Sequence, residues 1–195
     1  MKYSQVRADL FRKIQLGAGI LLSEFTPNTG EFSRTNIIAA TDGGAQFQAT
    51  QNFTDFGDGI DHVPADTKEL KRIDSTTVTL SGNFKTMDTA VAKMLMASAT
   101  IDGIKVTPNA QLSVSDFDDI WWVGDYSDIN EDGATAGKAG FIAIKIINAL
   151  STGGFQLQSA NRDKGTFAFT FTGHYSIEDT SVVPYEVYIQ DGTTQ

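Results

Sequence analysis

The sequence predicts a mainly β fold, in which two packed β-sheets form a sandwich or barrel with one α-helix on the flank. Residues with high strand propensity, chiefly Thr, Phe, Val and Ile, recur in short alternating runs. Eighteen glycines divide those runs into strands and turns. A single segment has helical periodicity instead, and the length suits one domain that covers residues 1–195.

The first strands are expected around two turns. Ile14–Thr26 forms a strand with a bend at Gly17–Gly19, and Pro27–Glu31 (PNTGE) closes it as a turn. Thr41–Gly44 (TDGG) contains an Asp-Gly pair, which is typical of a β-hairpin turn. The run that follows alternates, with Phe47 on its apolar side.

Two later segments alternate most clearly. In Thr76–Thr86 (TTVTLSGNFKT) every second residue from Val78 to Phe84 is apolar or glycine, and in Gly165–Gly173 three phenylalanines share one face. Each pattern predicts a strand with one buried face. Further strand candidates are IDGIKVTP, DDIWWVGDY, KAGFIAIKIINAL, GGFQLQSA and PYEVYIQ.

The one predicted helix covers about residues 87–98. Its apolar residues recur at i, i+3, i+4, i+7 and i+8, the spacing of one helical face. Thr86 is placed to cap the first turn, and Asp88 suits the positive end of the helix dipole. The predicted buried face consists of Met87, Ala90, Val91, Met94, Leu95 and Ser98.

Residues 54–75 (TDFGDGIDHVPADTKELKRIDS) lack strand alternation and are predicted to form a long loop. Its first half is acidic and its second half is basic. Loops of this length are uncommon in compact domains and are usually functional or ordered by a partner. Residues 1–13 are predicted to be an N-terminal arm with some helical character, and residues 191–195 a short C-terminal tail.

The formal net charge of −9 disfavours binding to nucleic acid, because the fifteen Lys and Arg residues form no strong cluster. The densest basic patch is Lys68–Arg72. The chain has no cysteine, which excludes disulfides, thiolate nucleophiles and cysteine metal sites. No apolar run is long enough to span a bilayer, and no cleavage site for a signal peptide follows the early apolar stretch.

No motif predicts a catalytic, cofactor-binding or metal-binding residue. DINEDG matches the first half of a calcium loop, but Ala139 stands where a bidentate glutamate is expected. A solvated turn is the favoured interpretation of Asp128–Asp132, with a cation site left open. GATAGKAG is one residue short of a phosphate-binding loop, and His62 and His174 lie far apart in the chain.

Ser115–Asp128 (SDFDDIWWVGDYSD) combines five aspartates with both tryptophans. On a strand, Trp121 and Trp122 point to opposite faces, so they cannot form one sugar-binding platform. Trp122 shares a face with Ile120 and is expected to enter the core, whereas Trp121 is expected to meet an interface or a neighbouring strand. The stretch is interpreted as a structural strand and turn without a catalytic role.

Eight stretches, which together span almost the whole chain, carry a resemblance to a known family. They are AGILLSEFTPNTG, TDGGAQFQATQNFTDFGDGID, TKELKRI, TVTLSGNF, SDFDDIWWVGDYSD, GFIAIKIINALSTGGFQLQS, KGTFAFTFTGHYSIED and VPYEVYI. In their order and spacing the chain resembles the major tail (tail tube) proteins of long-tailed, non-contractile bacteriophages, particularly those of Gram-positive hosts and their prophages.

The resemblance implies a two-sheet fold with a flanking helix, assembled into hexameric rings that stack as a hollow tail tube. It implies a structural protein of the virion tail, assembled in the bacterial host cytoplasm, with no enzymatic activity, no cofactor and no membrane partner. DNA would pass through the tube without specific binding, and the tape measure and the tail-terminator and initiator proteins would be the other partners. An acidic lumen would repel DNA, although solubility also explains the net charge.

In this family a long loop or hairpin and the terminal arms contact the neighbouring ring. Carried over to this chain, the resemblance assigns residues 54–75 to contacts between subunits or rings. The residues expected to make such contacts are Asp55, Phe56, Asp58, Asp61, Lys68, Glu69, Lys71, Arg72 and Trp121.

Two other functions stay open on the sequence. A tube protein of the type VI secretion kind shares the fold and the ring. A carbohydrate-binding or glycosidase β-sandwich is the alternative of another class, in which Asp118, Asp119 or Asp125 would carry catalysis.

Overall fold

The computed structural model describes residue 10, residues 13–126 and residues 140–192. Within them, the one α-helix is α1 (Thr89–Leu95), which lies between the third and fourth strands. The strands are β1 (Gln15–Leu22), β2 (Thr41–Asp55), β3 (Lys71–Phe84), β4 (Ala99–Asp102), β5 (Lys105–Pro108), β6 (Asp118–Tyr126), β7 (Phe141–Ser151), β8 (Gln156–Gln158), β9 (Thr166–Gly173) and β10 (Tyr185–Gln190).

Eight of the strands form an antiparallel sheet that folds over into two layers. The first layer has the order β10-β7-β6-β1, and the second has the order β2-β3-β9-β8. The strands β4 and β5 form a separate hairpin beside α1. The predicted mainly β fold with two layers and one helix is confirmed, and in the part of the chain described the strands do not close into a barrel.

The strand β7 belongs to both layers. Its first part pairs with β6 and β10, whereas Leu150–Ser151 pair with β9. The chain bends between the two parts at Asn148, whose φ of 49° lies in the left-handed region that asparagine tolerates. The Asn148 N–H donates to Asp119 Oδ1 at 3.1 Å, and its side-chain amide donates to the His174 carbonyl at 3.2 Å.

The main core lies between the two layers and beneath α1. Phe84 is fully buried, and its ring stacks on that of Phe169 with the centroids 4.3 Å apart. The strands predicted within residues 76–86 and 165–173 are confirmed, whereas Ala90, predicted to be buried with them, is exposed. The buried core residues are Leu21, Val78, Leu80, Phe84, Val91, Leu95, Ile120, Ile146, Ala149, Phe169 and Phe171.

A second core cluster covers the outer face of the first layer. Phe25, in the segment after β1, packs on Trp121 with the ring centroids 5.6 Å apart. Ile120 lies in the main core, so Ile120 and Trp121 point to opposite faces as predicted, and Trp122 packs against the main core. The buried members of the second cluster are Leu22, Phe25, Trp121, Val123, Phe141 and Ala143.

The strand β1 is bent at Gly17–Gly19, as predicted, and its ladder with β6 is interrupted there. Gly17 and Gly19 have φ values of 75° and 69°. Trp122 lies against the bend, where its Nε1–H donates to the Ala18 carbonyl at 3.2 Å. A Cβ on Gly19 would lie 2.6 Å from the Trp122 ring, so the ring packs directly on the bare glycine.

The helix is shorter than the predicted span of about residues 87–98. Asp88, not Thr86, is the N-cap, because its Oδ1 accepts a hydrogen bond from the Val91 N–H at 2.8 Å. At the other end Ala97 has a φ of 64°, which stops the helix and directs the chain into β4. The helical spacing of apolar residues continues past Ala97 in the sequence, but the helical conformation of the backbone ends before it.

Two predictions between residues 41 and 75 were wrong. The strand β2 runs through Thr41–Gly44, and the two glycines there, with φ values of 72° and 81°, form a bulge instead of a hairpin turn. Residues 54–75 are not one long loop, because β3 begins at Lys71 and pairs with the end of β2. The two strands form a long hairpin with residues 56–70 as its end loop.

Candidate interaction surface at the end of the β2–β3 hairpin

The far end of the β2–β3 hairpin projects from the sandwich. Gln51–Phe53 and Lys71–Asp74 lie on these paired strands, yet all of them are exposed. Because consecutive strand residues point to opposite faces, this exposure means that neither face is covered by another layer. The covered part ends near Thr76, whose N–H donates to the Tyr175 hydroxyl at 2.8 Å. Residues 51–74 are called the distal hairpin below.

Asp55 organises the end loop of the distal hairpin. Its Oδ1 accepts from the Gly57 N–H at 2.8 Å, and its Oδ2 accepts from the Asp66 N–H at 2.9 Å. These amides, with the Lys71 ammonium in a smaller role, hold the pKa of Asp55 below its ordinary value. Asp66 also forms an ion pair with Lys71. The loop therefore has a defined shape, with both of its ends tied to one carboxylate.

Four large apolar side chains of the distal hairpin face solvent. Phe53 and Ile73 are cross-strand partners and are 54% and 55% exposed. Phe56 and Ile60, in the end loop, are exposed to a similar extent. Lys71 Nζ lies 5.5 Å from the centroid of the Phe53 ring, which places a charge at the edge of this apolar pair. Apolar residues grouped on a projecting element are typical of a protein interaction site.

Eight of the nine residues predicted to make inter-subunit contacts lie in the distal hairpin. Asp55 is half-buried by the end loop, and the other seven are exposed. The charges are partly engaged within the hairpin, since Lys68 Nζ also lies 3.4 Å from Glu69 Oε1. Their contact with a second copy of the chain stays a prediction. The eight residues are Asp55, Phe56, Asp58, Asp61, Lys68, Glu69, Lys71 and Arg72.

Trp121, the ninth residue, lies elsewhere. It is only 7% exposed and packs between Phe25 and Tyr188 in the second core cluster. Lys145 Nζ lies 5.7 Å from the centroid of its ring. The sequence left two environments open for Trp121, an interface or a neighbouring strand. In the structure Trp121 packs against neighbouring parts of its own chain, and little of its surface is left for a partner.

Phe53, Ile60 and Ile73 belong to the exposed surface but were not among the predicted contacts. Ile60 and Ile73 lie inside the segment predicted to be a loop. An isolated apolar residue in a loop does not indicate which side of the chain is in contact with other residues. Phe53 ends the alternating run that follows Gly44 in the sequence. The available signal was the presence of single large apolar residues in an otherwise polar stretch, and only the register of β2 on β3 brings Phe53 and Ile73 together.

A cleft of about 810 Å³ opens where β6 begins, and it is called the acidic cleft below. The segment after β1 forms one wall with Glu24 and Phe25, and β6 contributes Asp118 and Asp119. Asp119 Oδ2 lies 2.7 Å from Lys145 Nζ, so these two charges compensate each other.

The acidic cleft does not contain all the carboxylates of the glycosidase alternative. Asp118 and Asp119 line it, whereas Asp125 lines a separate groove of about 640 Å³ beside Leu16 and Phe141. Hydrolysis of a glycosidic bond requires two carboxyl groups across one cleft. Asp118 and Asp119 are adjacent strand residues, and Asp119 is engaged by a lysine.

Among the described residues, neither histidine belongs to a cluster of metal-binding character. His174 Nδ1 lies 3.1 Å from the Asn148 carbonyl, and its ring meets Phe117 edge-on, so this side chain has a structural, hydrogen-bonded role. Over residues 13–126 and 140–192, no three His, Asp or Glu side chains converge as metal ligands would. Asp128–Asp132, the calcium-like turn, lies outside the described residues.

Comparison of this chain with protein-family models and with curated proteins gives no match. Among the described residues, no helix has the length and apolar character needed to cross a membrane.

Proposed function

We propose that this chain is a structural protein of a phage tail, which self-assembles into stacked hexameric rings and so forms the tail tube through which DNA passes. The observation that carries the proposal is the distal hairpin, which leaves the sandwich with both faces exposed. A hairpin of this kind does not stabilise the isolated domain, because its apolar side chains stay in water. In a stack of rings it would reach the next subunit.

The distal hairpin has the chemistry of a contact element. Burial of Phe53, Phe56, Ile60 and Ile73 against a second copy would remove apolar surface from water, at roughly 25 cal/mol for each Å². The carboxylate of Asp55 already fixes the loop, so less conformational entropy is lost when the loop docks. Both properties favour assembly over solvation.

The open edges of the two layers support the proposed assembly of the chain into a ring. The strand β2 ends the second layer, and β1 and β10 end the first. Within residues 13–126 and 140–192, each of them therefore leaves backbone N–H and C=O groups without a strand partner on one side. Exposed edges invite pairing with another chain, and closing a sheet around a ring removes them. Six copies joined in this way would give a continuous wall around a lumen.

The charge of the chain suits a channel for DNA. A wall with a net charge of −9 per subunit repels phosphates, so that DNA slides along it without being held. The proposed partners are further copies of the chain, the tape measure and the proteins that start and end the tail. The proposed location is the virion tail, after assembly in the cytoplasm of the bacterial host.

Negative-stain electron microscopy with light scattering, on the purified protein at high concentration, tests the proposal. Hollow tubes or rings with a central channel are the expected result. The double variant Phe56→Ser/Ile60→Ser should stay folded but lose tube formation, because both side chains are more than half exposed and lie outside the two core clusters. The matched control is Ile104→Ser, at a fully exposed isoleucine in the β4–β5 turn.

One result would contradict the proposed function, and a second would contradict only the role of the distal hairpin in assembly. The first is a protein that stays monomeric at every concentration, including in the presence of tail-initiator complexes. The second is tube formation by Phe56→Ser/Ile60→Ser at the rate of the unaltered chain, which would remove the distal hairpin from the interface.

A further inference from the structure

The outward face of the second layer is bare. Side chains alternate along its strands, so every second one points away from the main core. None of these outward side chains is buried, so no described part of the chain packs on them. The face, called the neutral face below, consists of every second residue of the ranges 46–50, 75–83 and 166–172, together with Gln156 and Gln158.

The neutral face carries no charged side chain. Its residues are Thr, Ser, Gln and Asn, with Ala168 as the exception. A surface that serves only solubility is roughly 25–35% charged, and charged residues make up 20% of this chain. Charges reappear at the ends of the face, where Asp42 pairs with Lys85 at 3.0 Å and where Arg72 and Asp74 belong to the distal hairpin. The absence of charge is therefore a property of this face and not of the whole surface.

The outer face of the first layer is built differently. The second core cluster covers it, with Phe25 packed on Trp121. Beside that cluster the face carries Asp125, Lys145 and Glu186. Within residues 13–126 and 140–192, the second layer thus has the outer face that is both bare and uncharged.

Strand propensity alone does not explain the composition of the neutral face. Threonine is enriched in strands because its branched side chain packs well on a pleated surface. Asparagine is depleted in strands, yet Asn83 lies on the face, and Gln46 and Gln48 lie on its edge strand. The feature that all these side chains share is a polar group without charge.

We propose that the neutral face lines the channel of the tube and is the surface along which DNA slides. The inference rests on the proposed function and names the chemistry of the wall that DNA meets. A channel lined by sheets needs a sheet face that nothing covers, and the neutral face has this property. Its edge strand β2 has no charged residue in the range 43–54, although free edges are commonly protected by charge. Pairing of this edge with a further copy would continue the neutral face around the ring.

A wall of hydroxyl and amide groups suits sliding at contact distance. Lysine or arginine would hold the phosphates by charge-assisted hydrogen bonds and by the release of counterions. Neutral groups exchange hydrogen bonds between water and DNA with little net change in free energy, so no position along the wall holds the duplex. The acidic residues lie off this face, and their repulsion reaches about 8 Å at physiological salt. The wall is thus neutral at contact, and the net charge of −9 acts from a distance.

Thiol labelling of assembled tubes tests where the neutral face lies. The chain has no cysteine, so every thiol is an introduced one. Gln48→Cys and Asn83→Cys place thiols at two exposed positions of the face, and the control Ile104→Cys places one at the fully exposed isoleucine in the β4–β5 turn. Each variant is treated, before and after assembly, with a small maleimide and with a maleimide coupled to a large globular protein.

Assembly should shield the neutral face from the large reagent, which cannot enter the channel, but not from the small one. Labelling of Gln48→Cys and Asn83→Cys by the large reagent should slow by more than about tenfold, because thiol reactivity follows access. Ile104→Cys should react with both reagents at the rate it has before assembly.

Lysines on the neutral face should turn sliding into binding. Gln48→Lys/Thr79→Lys adds two cations to one cross-strand pair of the face. Tubes are assembled in the presence of a short DNA duplex and are then treated with nuclease, which digests DNA bound outside. The protected fraction of DNA should rise by about tenfold over that of the unaltered chain and should fall as salt is added. The control Ile104→Lys/Val114→Lys adds the same charge at two exposed residues away from the face and should protect no more DNA than the unaltered chain.

Three outcomes, each obtained with tubes that form normally, would overturn the inference and leave the proposed function standing. Unslowed labelling of Gln48→Cys and Asn83→Cys by the large reagent would put the neutral face on the outside of the tube. Loss of labelling by both reagents would put it in a contact between copies. Equal protection of DNA by the two lysine variants would show that DNA meets another surface. A chain that forms no tubes under any condition would overturn the proposed function and this inference together.

Discussion

Asp55 Oδ2 accepts a hydrogen bond from the Asp66 N–H at 2.9 Å, across eleven positions of the chain. The other carboxylate oxygen, Oδ1, accepts from the Gly57 N–H at 2.8 Å. One side chain thus bonds to both arms of the end loop of the distal hairpin. The shape of this exposed loop therefore depends in part on the charge state and the identity of Asp55.

We expect Asp55→Ala to loosen the end loop and to leave the sandwich intact. The variant has no oxygen to accept from the Gly57 and Asp66 amides, so hydrogen exchange of these two amides should accelerate several-fold. Asp58→Ala is the matched control, because it removes one carboxylate from the same loop at an exposed position. Unchanged exchange in Asp55→Ala would show that the loop is held by other contacts.

Acid should release the same loop. The pKa of Asp55 is lowered in the folded chain by the amides of Gly57 and Asp66, so the ionised carboxylate stabilises the fold. That contribution is fully present above the unfolded pKa of about 3.9 and is lost as pH falls through the lower folded value. Amide chemical shifts of Gly57 and Asp66, followed from pH 6 to pH 2, should titrate with a midpoint below 3.8. A midpoint at or above the ordinary value would contradict the expectation.

Phe84→Ala should destabilise the domain by about 3–5 kcal/mol, because it opens a cavity beside the stacked Phe169 ring in the main core. Denaturant unfolding measures the loss. Phe56→Ala is the control of the same chemistry at an exposed site, with an expected change of about 0.5 kcal/mol or less. Similar losses in the two variants would mean that the main core is not where the structure places it.

Gly19→Ala should be more damaging than Gly17→Ala. Both residues have positive φ, which costs an alanine about 1–2 kcal/mol. Only at Gly19 would the added Cβ meet the Trp122 ring, at 2.6 Å, whereas at Gly17 no atom lies within 4 Å. Unfolding free energies give the difference, and the tryptophan fluorescence of Gly19→Ala should change as the indole moves. Equal losses of unfolding free energy in the two variants would mean that backbone strain alone, without the contact with Trp122, causes the destabilisation.

The sequence predicted the strands that have one buried face. Val78, Leu80 and Phe84 alternate with polar residues because one side of β3 faces the main core, and this burial is visible as a period of two. The distal hairpin lacks that signal for a physical reason. Neither of its faces is covered, so no alternation is imposed on residues 71–74, and the strand there looks like a loop.

Two other differences have tertiary causes. An Asp-Gly pair favours a tight turn locally, but at Thr41–Gly44 the ladder between β2 and β3 continues on both sides and absorbs the glycines as a bulge. For Trp121, the alternation of side chains along a strand predicted the face of β6 on which the ring lies. It did not predict which residue packs against the ring. Phe25 lies almost one hundred positions away, and only the folded segment after β1 brings it onto the ring.

The shared strand β7 has a mechanical consequence. Layers held together by side-chain packing alone slide over each other under load, whereas here one continuous backbone passes from the first layer into the second at Asn148. A pull on either layer is transmitted through peptide bonds, and slippage would have to strip β7 from β6, β9 or β10. In a wall built from such domains, the two layers of each subunit would therefore stay together and move as one unit when the wall bends.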